Sequence, residues 1–435
     1  MHSFEASPKR SRQTTWILGA MVLGVGAGYA CNRLAASADQ AKEIASYFAM
    51  LTDIFLRMIK MIIAPLIFST LVAGLAGMGD ARTVGRIGGR ALAWFVMASL
   101  ISLTIGLVLA NVLQPGGNLS LPLPAVNAAV ELKTSTLNLK DFLTHVFPRN
   151  IFESMANNEI LQIVVFSVFF GLALGRVKSG KARVLSEAIE GAVPVMLKVT
   201  GYVMLFAPLG VFAAIANVVT TQGLGVLLVY GKVLGGFYFA LLVLWAVLVG
   251  LGYLVLNRKI FPLLSAIREP MILGFSTASS EAAYPIVMEK LRRLGISERV
   301  IGFVLPLGYS FNLDGSMIYT TFAALFVAQA YNIPLSLGTQ IAMLLVLMVS
   351  SKGIAGVPRS ALVVVAAVLP MFNLPEAGVL LIMGIDVFLD MGRTATNVLG
   401  NSIATAVIAK WENAYEPEGA DDDLTEEDAS LPQTA

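Results

Sequence analysis

The sequence predicts an all-α polytopic membrane protein, and three observations carry that expectation. The chain is 57% hydrophobic and 13% charged, with a mean hydropathy of +0.77. Soluble globular domains carry about 25% charge. Apolar runs of about 20 residues, the length that crosses a bilayer as a helix, recur along the chain. The third observation is the stretch from Gly384 to Asn401, inside an apolar segment that runs to Lys410. There Asp386, Asp390, Arg393, Asn397 and Asn401 are spaced i, i+4, i+7, i+11, i+15. At about 100° per residue they share an arc of roughly 80°, a single polar stripe. A charge at mid-membrane costs roughly 2.5–3.5 kcal/mol, so these groups need partners. They form either a binding site or pore facing the protein interior, or a buried structural ion network.

The composition also excludes classes of function. A net charge of +2 does not point to nucleic acid, and one cysteine, Cys31, allows neither a disulfide framework nor a thiol metal site. The two histidines, His2 and His145, lie outside the polar core, so neither zinc nor a Ser–His–Asp centre is expected. Lys9-Arg10-Ser11-Arg12 before apolar Trp16–Ala30 has the outline of a signal peptide. Apolar segments continue throughout, so a first transmembrane helix is the better reading.

Taken in order, residues 1–14 read as a cytoplasmic N-terminus, and 15–85 as two spans joined by a polar, Ala-rich connector at about 34–46, with Pro65 in the second. A third span covers 86–114 and stops at Gln114-Pro-Gly-Gly. Outer loops and two spans fill 115–224, with a break at Pro208-Leu-Gly, and a sixth span covers 225–257. Basic clusters at 9–12, at Arg82/Arg86/Arg90, at 176–183, at Arg258/Lys259 and at 290–293 place the N-terminus in the cytoplasm. The acidic tail, 413–435, reads as disordered.

The second half is interrupted. Within 258–294, two short apolar arms flank Ser276-Thr-Ala-Ser-Ser-Glu281, the pattern of a re-entrant hairpin; an amphipathic surface helix is the alternative. Residues 295–332 contain Asn312-Leu-Asp-Gly-Ser316, where Asn312 and Gly315 weaken the helix and Asp314 brings a carboxylate. An unwound turn there suits a bare cation or a proton, although burial alone could hold Asp314 neutral. The hairpin pattern repeats in 333–372, around Ser350–Ser360 with Gly353, Gly356 and Pro358, and the last span covers 373–412. Two hairpins, each followed by a helix with a polar centre, suggest an internal repeat. Their half-helix N-termini, aimed at a shared centre, favour an anion.

Five stretches together, Phe55–Ser69, Ser276–Pro285, Asn312–Ser316, Ser351–Pro358 and Asp386–Asn401, resemble the dicarboxylate/amino acid:cation symporters, the glutamate transporter family. The resemblance runs over about 15–415, and its most specific part is Asn-x-Asp-Gly-Ser with Asp-x-x-x-Asp-x-x-Arg-Thr-x-x-Asn. It implies a prokaryotic inner-membrane carrier of eight transmembrane helices and two re-entrant hairpins, built as inverted repeats and assembled as a homotrimer. The first, second, fourth and fifth spans form a scaffold. The others, with both hairpins, form a transport unit that slides like an elevator, the second hairpin acting as gate. It implies no cofactor beyond a coupling ion, H⁺ or Na⁺, and no partner beyond lipid, its own copies and a small anionic substrate.

Carried over residue by residue, the resemblance implies that Arg393 clamps the substrate's distal carboxylate, helped by Ser316. Asp390 receives an α-amino group. Thr394, Asn397 and Ser280 hold the α-carboxylate side, with backbone from Val357 to Ala361. Asp386 orients Arg393 or its neighbours, and Gly356, Pro358 and Arg359 belong to the gate. Carriers of plain dicarboxylates tend to lack an acid at the Asp390 position, so glutamate or aspartate is expected over C4-dicarboxylates such as succinate, fumarate or malate.

Cation-binding positions would be Asn312, Asp314, Asn397, Asn401 and Ser99. Sodium-coupled members usually have an acid where Asn401 stands, and a Tyr and a hydroxyl pair where Phe95, Ala98 and Ser99 align. Their loss removes hard oxygen ligands and favours H⁺ over Na⁺. Thr320 replaces the proton-carrying acid of animal members, leaving Asp314, Asp390, Glu281 or the substrate. Ala278 and Met391 stand where relatives place an arginine; Arg359 either supplies that cation or reaches water. An anion channel is the competing class. An enzyme is not expected, because the sequence has no nucleophile–base set, metal-ligand cluster or nucleotide loop.

Overall fold

A computed structural model describes residues 8–76, 81–117, 123–124, 144, 146–225, 230–351 and 360–415. These residues are helical apart from turns and one isolated bridge between Ile296 and Tyr415. The helices are α1 (Pro8–Leu34), α2 (Ala38–Ala76), α3 (Ala81–Leu113), α4 (Ile151–Ala156), α5 (Ile160–Arg176), α6 (Gly180–Met204), α7 (Ala207–Gln222) and α8 (Gly231–Leu256). The second half has α9 (Ile260–Thr277), α10 (Ser280–Arg293), α11 (Glu298–Phe311), α12 (Asp314–Ala330), α13 (Leu337–Ser350), α14 (Ser360–Val368), α15 (Val379–Met383) and α16 (Asp386–Trp411).

Among the described residues, four helical runs are long and apolar enough to cross a membrane: Thr15–Leu34, Ala38–Ala76, Arg82–Leu113 and Gly231–Thr277. The pair α6 and α7, bent by 50°, makes a fifth. The run Gly231–Thr277 is not one straight rod. Asn257 sits at φ 52, and Ile260 packs back beside Gly252. Eight residues of unbroken helix would separate those two by about 12 Å.

Several boundaries fall elsewhere than the sequence predicts. The connector at 34–46 is helical from Ala38. Ser37 accepts from the Gln40 amide and the Gln40 side chain accepts from Ala36, which caps a run of good helix formers. The break in the fifth span comes at Leu205–Phe206, ahead of Pro208 rather than at it. Proline is tolerated in the first turn of the new helix and excluded from the end of the old one. The last span does not run unbroken from 373. A 3₁₀ turn at Glu376–Gly378 and the short α15 precede a break at Gly384–Ile385, and α16 starts with Asp386.

Packing sorts the helices into two neighbourhoods. Helix α2 packs against α5, α6 and α7, and α1 lies along α7. Helix α16 is surrounded by α8, α9, α10, α11, α12 and α3. The two neighbourhoods meet where α10 and α11 lie on α2 and where α9 lies on α7. From Thr394 to Ala409 every residue of α16 is buried, which a helix with such a polar stripe reaches only inside protein.

Candidate functional site

The site is built where α11 and α12 cross α16. Helix α11 stops at Phe311, and Asn312 (φ −103, ψ 72) and Leu313 (φ −102, ψ 56) leave helical geometry before α12 restarts at Asp314. The two halves have 14 and 17 residues, each short of the roughly 20 that a full crossing needs. The expected unwound turn is therefore present, two residues long.

Small residues let these elements touch. A Cβ on Gly315 would overlap the Arg393 carbonyl, one on Gly400 would overlap the Asp314 carboxylate, and one on Gly308 would overlap the Asn401 amide. The crossing is antiparallel, so 308, 312–314 and 315 face 401, 400 and 397–393 in turn. Asn397 stitches it. Its Oδ1 accepts from the Gly315 amide at 2.9 Å and its Nδ2 donates to the Ser316 hydroxyl at 3.3 Å.

One end of the crossing is charged. Arg393 pairs with Asp390 at 2.5 Å, and the Thr394 hydroxyl donates to the same Asp390 oxygen at 3.3 Å. Tyr319 donates to Asp386 at 2.5 Å, and its ring lies 5.8 Å from the Arg393 guanidinium carbon. Tyr319 thus stands between Asp386 and Arg393. Sequence reasoning missed Tyr319; its signal was a phenol in an apolar helix, five residues after Asp314, whose hydroxyl had to find a partner. Two further braces hold the far face of α16: Tyr238 donates to the Phe388 carbonyl at 2.6 Å and Trp245 to the Thr396 hydroxyl at 2.8 Å.

The other end is sealed. Asn312 is 0% exposed and Asn401 2%, and neither amide has a hydrogen-bond partner among the described residues. Asp314 is fully buried beside them. Ser99, also buried without a partner for its hydroxyl among the described residues, lies one turn along α3 from Phe95, whose ring faces Gly308. Buried amide oxygens beside a carboxylate are a hard donor set that fits a cation or a water.

The hairpin tip comes from α9 and α10. Ala278 adopts the left-handed conformation (φ 49, ψ 32), and Ser279 caps α10 by accepting from Ala282. Both arms lie along α16, with Gly274 of α9 facing Thr394 and Val398 and with Ala283 of α10 beside Gly274. Ser280 opens α10 but makes no hydrogen bond to the stripe among the described residues. Ala361 is buried at the start of α14, which packs on α12. Gly356, Val357, Pro358 and Arg359 lie outside the described residues.

A model of the sodium:dicarboxylate symporter family matches residues 14–411. The chain belongs to this family. It is 40% identical to C4-dicarboxylate transport protein 2 of Polaromonas naphthalenivorans, over 91% of this chain and 87% of that one. It is 40% identical to the proton/sodium-glutamate symport protein of Bacillus caldotenax, over 86% and 90%. It is 39% identical to the proton/glutamate-aspartate symporter of Escherichia coli K12, over 92% and 93%. The symporter is therefore a membrane protein of a transporter family, and the polar crossing of α11, α12 and α16 is its candidate site.

Proposed function

We propose that this symporter imports glutamate or aspartate across the bacterial inner membrane, coupled to H⁺ in preference to Na⁺. The observation that carries the substrate reading is the Asp390–Arg393 pair. A substrate with a carboxylate and an ammonium can replace each partner of that pair with one of its own, so both charges stay neutralised. A plain dicarboxylate takes Arg393 and leaves Asp390 facing a like charge. Thr394 and Ser316 flank the same face, and Ser280 comes from the hairpin beside it. The names of relatives at 39–41% identity divide between C4-dicarboxylate and glutamate transport, which supports C4-dicarboxylate symport as the second reading.

The coupling reading rests on Asn401. A sealed amide offers Na⁺ a neutral oxygen where a carboxylate would hold it more strongly. Movement is read from the two packing neighbourhoods: α1, α2, α5, α6 and α7 as a fixed scaffold, and α3, α8 to α14 and α16 as the carrier that slides past it. Eight crossings, two re-entrant hairpins, a cytoplasmic N-terminus and a homotrimer belong to this proposal.

Uptake of labelled glutamate into proteoliposomes tests it, under a sodium gradient alone and then a pH gradient alone in sodium-free buffer, with succinate as competitor. Uptake under the pH gradient, resistant to equimolar succinate, is the expected result. Uptake that needs sodium overturns the ion, and displacement by succinate overturns the substrate.

A further inference from the structure

Past the end of α16 the chain closes onto α3. Helix α16 ends at Trp411, and Asn413 takes a left-handed conformation (φ 50), which asparagine tolerates at a helix C-terminus. The Ala414 amide donates back to the Ala409 carbonyl at 2.9 Å. The chain then lies on the α10–α11 connection, where the Ser297 amide donates to the Ala414 carbonyl at 2.9 Å and Tyr415 bridges Ile296. Lys259, at the α8–α9 junction, sits 4.2 Å over the Tyr415 ring. These contacts fix the backbone on both sides of Glu412, whose side chain is 2% exposed. Arg86 and Arg90, one turn apart on α3, both pair with its carboxylate. The Arg90 guanidinium also donates to the Trp411 carbonyl at 2.7 Å. One turn further along α3, Trp94 meets Trp411 edge-on, with ring centroids 5.8 Å apart.

The next turns of α3 lead to the sealed cluster. Phe95 faces Gly308, the glycine on which the Asn401 amide also closes. Ser99, one turn on, is the buried hydroxyl without a partner among the described residues. Nine residues of unbroken helix, about 14 Å, separate Arg90 from Ser99. The opposite end of α3 is held by α12 and α13. Gln329 donates to the Ala110 carbonyl at 2.9 Å and accepts from the Gly116 amide at 3.0 Å, and Asn111 donates to Gln340 at 2.7 Å. Between its ends α3 seats on α11 and α12 through packing, as at Phe95 on Gly308 and Gly106 on Thr321. Packing of this kind is non-directional, so the polar contacts at the ends set the depth at which α3 lies against α16.

We propose that Glu412 is a positioning residue for the coupling ion: by gripping Arg86 and Arg90 it sets the depth of α3, and with it how closely Ser99 stands to Asn312, Asp314 and Asn401. This rests on reading the sealed cluster as the coupling-ion site, whichever of H⁺ and Na⁺ it holds. The hydroxyl and amide oxygens around the Asp314 carboxylate govern its hold on either ion. Glu412 touches neither that cluster nor the Asp390–Arg393 pair, so its effect falls on the ion and not on the substrate.

The test uses the full-length protein in proteoliposomes. The initial rate of labelled glutamate uptake is measured against external pH in sodium-free buffer, then against sodium at fixed pH, and the KM for glutamate is measured at saturating ion. Glu412→Gln is expected to need about two- to fivefold more of the driving ion for half-maximal uptake, the range that partly exposed ion pairs supply. Its KM for glutamate at saturating ion is expected to match wild type. Arg86→Gln/Arg90→Gln is expected to give the same shift, and adding Glu412→Gln to that pair is expected to add nothing, as for partners in one interaction. Glu269→Gln, which cuts the 2.7 Å pair with Lys290 between α9 and α10, is the control. It is expected to lower the melting temperature and leave the ion dependence unchanged. An unshifted ion dependence in Glu412→Gln, or an equal shift in Glu269→Gln, overturns the assignment. Wild-type uptake that needs sodium overturns proton coupling alone, and the same comparison is then made along the sodium series. Wild-type uptake that follows neither ion overturns both readings. If Glu412→Gln does not fold, the arginine double variant decides, and an unshifted ion dependence there overturns the assignment.

Discussion

The Tyr319 hydroxyl donates to the Asp386 carboxylate at 2.5 Å, and both side chains are sealed from solvent. This bond ties the middle of α12 to the first turn of α16, and the Tyr319 ring faces Arg393. A hydrogen bond to a charged group contributes about 1.5–3 kcal/mol. Tyr319→Phe keeps the ring and removes that bond. The expected result is a lower melting temperature in detergent together with a raised KM, as Arg393 loses its fixed backing. A variant with wild-type KM would show that Tyr319 serves the fold alone.

Asp390 and Arg393 pair at 2.5 Å. Asp390→Asn keeps the shape and removes the charge that would meet an ammonium. Its preference for glutamate over succinate is expected to fall by about tenfold or more, given 1.5–3 kcal/mol for a charge-assisted bond and 1.4 kcal/mol per factor of ten. Competition uptake measures this directly, and an unchanged preference would remove Asp390 from substrate selection.

Gly400 faces Asp314 so closely that any Cβ would overlap the carboxylate, with the Asn312 amide nitrogen 3.3 Å away. Gly400→Ala must push Asp314 off α16. Overpacking of this kind costs about 1–3 kcal/mol. Transport is expected to be lost or strongly reduced, with altered dependence on the coupling ion. Gly250→Ala, with open space around its Cα, is the matched control and is expected to behave as wild type.

Glu412, just past the end of α16, is gripped by Arg86 at 2.8 Å and Arg90 at 2.7 Å from α3. Burial acts to raise its pKa, but the hydrogen bonds and charges of the two arginines outweigh it and leave the carboxyl below its ordinary value. A lowered folded-state value stabilises above the unfolded carboxyl's pKa, about 4.3, and the contribution is lost as pH falls through the folded value. Glu412→Gln is expected to lower the melting temperature at about pH 7, and the gap to wild type is expected to narrow steadily as pH falls below about 4.3. The difference should be about 1 kcal/mol or less, because both arginines are partly in water.

Much of the site is legible in the sequence because its signals are local. The stripe follows from helical periodicity, and α16 does carry Asp386 to Asn401 on one helix. The helix breaks follow from Asn312 and Gly315 and from the Ser-rich stretch at 276–280; they fall at Asn312–Leu313 and Ala278–Ser279. The connector at 34–46 reads as a loop because it is polar, whereas Ser37 and Gln40 cap a helix there.

Helical class, family and the residue types along the polar stripe are written locally, in periodicity and composition. The partners are set instead by how the helices seat against one another. Tyr319 meets Asp386 across 67 positions of chain, Asn397 meets Gly315 across 82, and Lys60 meets Glu281 from a different group of helices. Each pairing depends on the depth and rotation at which one helix seats against another. Those are fixed by close approaches such as Gly315 on Arg393 and Gly400 on Asp314, which depend on both surfaces at once and cannot be read from either strand of sequence alone.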